Sequence, residues 1–186
     1  MTGIGIGVTL PTILGELSFL IDEDFSDFFE ITLDDREIEI FLLIHENSVD
    51  SDNVRIIIDF INNIPKFYAE AKEAVQLCKD SGLIRTFIDD EINNIKALHQ
   101  ILAVESNCKI SDEMFIKGLE LRGVGIKGYQ EGELDLSLDL SIAPEYTDEL
   151  LVVYFDEHLE FTHSTHESCN KLPSKLKHSF SMIYRD

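Results

Sequence analysis

Four side chains able to ligate a metal or move a proton fall close together near the end of the sequence: His158, His163, His166 and Cys169, with Asp156, Glu157 and Glu167 among them. Imidazole, thiolate and carboxylate are the donors that transition metals prefer when they converge. The spacing works against convergence on a strand, because His163 and His166 differ by an odd number and so point to opposite faces. A turn near Ser164 would reconcile them. These four are the candidate ligands of a metal-dependent enzyme or sensor, the alternative to the reading reached below.

Other chemistry-bearing patterns are thinner. Asp22, Glu23, Asp24 and Asp27 suggest a cation, yet the glycine and terminal bidentate Glu of a 12-residue calcium loop are missing. The row Asp135, Ser137, Asp139 shares one face of a strand, where paired carboxylates could do acid–base work. Such a row is more often the solvated side of a sheet, and nothing apolar nearby predicts a raised pKa. The glycines of GIGIGV (Gly3, Gly5, Gly7) lack both the flanking strand and helix of a dinucleotide fingerprint and the Lys-Ser/Thr of a phosphate loop. No G-x-S-x-G is present, and Cys169 beside His166 has no nucleophile signature. The expectation is a protein that is not an enzyme and needs no cofactor.

Charge carries more information. The chain of 186 residues has a formal net charge of -21, and its first sixty residues hold 14 acidic groups against Arg36 and Arg55 alone. A hydrophobic share of 44% with twelve Phe separates this acidity from that of a disordered tail. A strong negative field steers basic proteins or cations toward it and repels nucleic acid and anionic membrane. No apolar run reaches membrane-spanning length. Three separated cysteines without a signal peptide fit reduced thiols and a cytoplasmic location.

The elements that must position these groups follow from periodicity. Leu17, Phe19 and Ile21 alternate as a strand, and Asp22 to Asp27 reads as an acidic loop. Phe29, Ile31 and Leu33 form a strand that turns at Asp34-Asp35 into Ile38, Ile40, Leu42 and Ile44. Ser51 or Asp50 caps a helix striped by Val54, Ile57, Ile58 and Ile61, and Pro65 ends or restarts it. Ile64, Tyr68, Ala71, Val75 and Cys78 stripe a second helix, closed by Gly82. A third carries Ile84, Ile88, Ile92, Ile95 and Leu102 on one face. Ser111 caps a short fourth helix before Gly118. A strand spans about Leu119 to Tyr129, with a turn at Glu131-Gly132. Leu134 to Ile142 alternates strictly, Leu150 to Phe155 is a central apolar strand, and Leu159 to His163 returns after the turn Asp156-Glu157-His158. The basic stretch 170–186 is a helical or mobile tail.

The C-terminal meander carries a resemblance. Tyr146-Thr147-Asp148-Glu149-Leu150-Leu151-Val152-Val153, then Phe155-Asp156, a turn and a closing Glu167-Ser168, resembles an uncharacterised bacterial family, domain of unknown function two thousand and four. Leu138 stands where that pattern expects an aromatic. Members of such families are small acidic proteins, reminiscent of immunity proteins that neutralise bacterial toxins. The resemblance supplies no catalytic residues.

The sequence therefore predicts a single α+β domain over residues 1–186, with an antiparallel sheet built from N- and C-terminal strands and three or four helices on one face. The expected function is non-catalytic binding of a basic protein, a toxin or nuclease domain whose active site is occluded. Asp22, Glu23, Asp24, Asp27, Glu30, Asp34 and Asp35 are the expected contacts, and Phe25, Phe28 and Phe29 the anchors. Neither the identity of the partner nor the oligomeric state is written in the sequence.

Overall fold

The computed structural model describes residues 7–12, 15–20, 25–33, 35–45, 51–129 and 133–168. Strands β1 (Gly7–Thr12) and β2 (Gly15–Leu20) pair antiparallel as a separate two-stranded sheet. A second sheet has six strands in the order β3 (Phe25–Leu33), β4 (Arg36–Ile44), β5 (Glu120–Gly128), β6 (Leu134–Ser141), β7 (Glu149–Phe155) and β8 (Phe161–Ser168). All its neighbours are antiparallel except β4 and β5. Between those two run α1 (Ser51–Asn62), α2 (Ile64–Leu77), α3 (Gly82–Asn94), the single turn α4 (Leu98–Ile101) and α5 (Asp112–Gly118). This is the predicted α+β architecture, with one parallel junction joining an N-terminal hairpin to a C-terminal meander.

Alternation decides which strand face meets the helices. Ile38, Ile40, Leu42 and Ile44 of β4 merge with Leu134, Leu136, Leu138 and Leu140 of β6, and with Leu151, Val153 and Phe155 of β7. Into the same core the helices send Ile57, Phe60, Ile61, Phe67, Val75, Phe87, Ile88 and Phe115. Phe60, Phe67 and Phe155 pack as tilted and edge-on rings with centroids 5.1 to 5.8 Å apart, an arrangement that aromatic quadrupoles favour. Apolar side chains of the opposite register, such as Phe41, Leu150 and Val152, stand outside this core. The described helices thus share one face and leave the other without a helical cover.

Several boundaries differ from the sequence expectation. The acidic stretch predicted as loop through Asp27 gives way to strand at Phe25, since Phe25, Ser26 and Asp27 continue the β4 ladder opposite Ile44, Leu43 and Leu42. Gly82 does not close α2; it opens α3 after a turn, with Ser81 at the N-cap position. The long third helix is two, because Ile95 takes an extended conformation (φ -89°, ψ 95°) and the chain restarts at Leu98. Strand β8 begins two residues later than predicted and runs on to Ser168. Pro65 sits in the first turn of α2, where its missing N–H has no cost. Ser111 caps α5 as expected, its Oγ accepting from the Met114 amide at 3.2 Å. Leu33 pairs with Arg36, and Asp35 holds a left-handed φ of 62° between them, as a two-residue hairpin turn requires.

Ile21, the turn at Glu131-Gly132 and the basic stretch 170–186 lie outside the described residues. No described helix is long and apolar enough to cross a membrane.

Candidate functional site

The sheet face that no described helix covers is a trough, and the register explains its shape. One row across the sheet reads Phe28, Phe41, Gly125, Ser137, Tyr154, His163, from β3 to β8. The next reads Glu30, Glu39, Gly123, Asp139, Val152, Thr165. Aromatic rings therefore stand at both ends of the first row, with glycine and serine between them. From β4 to β7 is three strand spacings, about 14 Å. The space enclosed is about 310 Å³, and Arg122, Lys127, Ser141, Asp148, Leu150 and Glu167 are also part of its lining.

Glycine makes the floor. A Cβ on Gly125 would collide with the Ser137 hydroxyl, and one on Gly123 would come within 3.1 Å of Asp139 Oδ2. The two β6 side chains instead lie across the space that β5 leaves open, a close approach that only glycine permits. Tyr154 forms the far wall. Tyr154 stacks on His163 with rings nearly parallel and centroids 4.5 Å apart, and its hydroxyl donates to Glu167 Oε1 at 3.3 Å. Burial pushes the Tyr154 phenol up to about 12.

Asp139 is the chemically distinctive group. Burial first, then the Glu167 and Glu39 carboxylates, push its pKa up to about 6, and Lys127 opposes them. The solvated row expected of Asp135, Ser137 and Asp139 is thus corrected at two of its three positions: Asp139 is half-buried with its pKa raised, and Ser137 is only 7% exposed. Ser141, one step further along this face, is 1% exposed, and its Oγ has no hydrogen-bond partner.

The sequence-predicted contacts are only partly brought together here. Phe28 is 42% exposed and lines the trough, while Glu30 is exposed in the row of Glu39 and Asp139. Asp35 is exposed at the hairpin tip. Phe25, Asp27 and Phe29 belong to β3 by backbone pairing, but their side chains lie outside the described set. So do the residues Asp22, Glu23, Asp24 and Asp34. Glu39, Phe41 and Tyr154 went unpredicted as site residues, while Asp139 was weighed only as part of a carboxylate row and Glu167 only beside the candidate metal ligands. One signal was present in the sequence: Gly123 and Gly125 alternate within a strand, facing Ser137 and Asp139, which alternate in the next.

The candidate metal ligands are dispersed. His158 is exposed in the β7–β8 turn, and His163 lines up on the trough face against Tyr154. His166 turns to the helical side, where Nε2 donates to Glu149 Oε2 at 2.8 Å and the ring meets Phe87 edge-on. Beside it Glu91 is 1% exposed; Thr147 Oγ1 donates to its Oε1 at 3.3 Å, and its pKa is raised by burial. Among the described residues no group of three or more His, Cys, Asp or Glu could hold a metal ion, and Cys169 lies outside them.

The fold and site together define an α+β protein with an acidic, aromatic-walled sheet face. No family model matches the chain, and no curated protein or solved structure does.

Proposed function

We propose that the chain is a binding protein whose acidic sheet face, opposite the described helices, receives a basic protein, in the manner of an immunity protein that neutralises a bacterial toxin by occluding its active site. The observation that carries this reading is the composition of that face. Glu30, Glu37, Glu39, Asp148 and Glu167 are exposed there, with Phe28, Phe41 and Tyr154 among them. Arg122 and Lys127 are the cations that line the trough among the described residues. Acid speeds encounter with a cationic surface and selects for it, and aromatic anchors supply binding energy once water is excluded. The likeness of the C-terminal meander to a family of small acidic bacterial proteins points the same way.

Co-expression tests it. A basic toxin domain encoded immediately upstream should arrest growth alone, and this chain should restore growth. Charge reversal at Glu30, Glu37 and Glu39 together should abolish the rescue, because each reversal places like charge against the partner. Rescue that survives the triple reversal would overturn the proposed face, and a neighbourhood without any toxic basic domain would overturn the immunity role.

A further inference from the structure

The geometry points to a specific occupant of the trough: a single arginine side chain presented by the partner protein. The inference rests on the binding-face reading above and adds which side chain is received and by what chemistry.

Two features of the floor can receive a group that only donates hydrogen bonds, and the carboxylate selects for one. Asp139 brings a carboxylate to which no described side chain donates, and Ser141 brings a buried hydroxyl oxygen without a partner. Both can accept. A guanidinium has five N–H donors and no acceptor, and its planar fork fits a carboxylate through two parallel bonds. The walls select for a plane. Phe28 and Phe41 stand on one side and the Tyr154–His163 stack on the other, and a guanidinium packs flat on aromatic faces where a compact ammonium does not. Glu39 and Glu167, facing the floor from β4 and β8, add negative field. Volume agrees as well, since about 310 Å³ stands at the small end of ligand clefts, which run from roughly 300 to 1,000 Å³.

The test uses the full-length, isotope-labelled chain and N-acetyl-arginine amide as probe, followed by NMR at about pH 7.5. Saturable shifts are expected at the amides of Gly123, Gly125, Asp139 and Tyr154. N-acetyl-lysine amide should bind several-fold more weakly, and N-acetyl-citrulline amide, equal in shape but neutral, should not bind. Asp139→Asn should weaken the arginine probe roughly tenfold with the spectrum still that of a folded protein.

Lowering the pH to about 5 should weaken binding to the wild type as Asp139 takes up its proton. The charged and titratable groups facing it are Glu39, Lys127, Arg122, Tyr154 and Glu167, and His163 backs the Tyr154 wall. The variant isolates the contribution of Asp139: Asp139→Asn should lose most of the dependence. Equal binding of citrulline, no shift at saturating probe, or an unchanged Asp139→Asn variant would each overturn the socket. The two proposals fail separately. Arginine-amide binding without any toxic partner removes the immunity role and keeps the socket. Growth rescue that is lost on charge reversal but intact in Asp139→Asn removes the socket and keeps the acidic face.

Discussion

Asp139 shows how much a side chain's behaviour depends on residues far away in sequence. The unfolded carboxyl titrates near 3.8, whereas the folded one holds its proton up to about 6. The native state therefore binds more protons between those values, and stability falls as pH rises through that window and levels off above it. Asp139→Asn should remove this fall. At pH 7 the variant should exceed the wild type by on the order of 2 kcal/mol, read from urea unfolding between about pH 4 and pH 8. A variant whose pH profile runs parallel to that of the wild type would contradict the burial of this group. The sequence placed Asp139 on the correct side of its strand. It could not reveal desolvation, because that depends on Gly123 of a neighbouring strand and on Glu39 and Glu167 from either side. Likewise the opposite facings of His163 and His166 were legible from parity alone, while the partners of each, Tyr154 and Glu149, were not.

Strand β5 is the element on which the trough depends. Its two floor glycines are poor strand formers by propensity, yet β6 needs their emptiness to lay Ser137 and Asp139 inward. Gly125→Ala should destabilise by about 1–3 kcal/mol, the usual cost of overpacking. Adding Ser137→Ala should recover most of that loss, since the hydroxyl is the atom struck; a double variant no better than the single would show that the backbone, not the side chain, is the obstacle. Elements with strong periodicity were readable: β6 from the strict alternation of Leu134 to Ile142, α1 and α2 from their stripes. Breaks were not. The apolar stripe from Ile84 to Leu102 runs across the interruption at Ile95 because α4 restarts with Leu98 still facing the core. Only Asn93 and Asn94, residues that compete with helical backbone bonding, hinted at the end of α3. At β3 the acidic lead-in masked a strand whose pairing with β4 overrides local preference.

Across the whole molecule, a net charge of -21 works against compaction. Raising sodium chloride from about 0.02 to 0.3 M shortens the screening length to within a few ångströms of contact distances and should raise the melting temperature by a few degrees. A midpoint insensitive to salt would mean that the acids are already paired. The fold class was legible at this scale because alternating strands flanked a run of amphipathic helices. The strand order was not, for nothing in sequence marks β4 as the neighbour of β5. That one parallel ladder has a consequence during synthesis. About 80 residues must follow Ile44 before its partner Gly128 exists. At about 5–20 residues per second, the β4 edge of the β3–β4 hairpin stays unpaired for roughly 4 to 16 s on the ribosome. An edge left open for that long is a ready template for wrong pairing, so a holdase at the exit tunnel should raise the yield of folded chain.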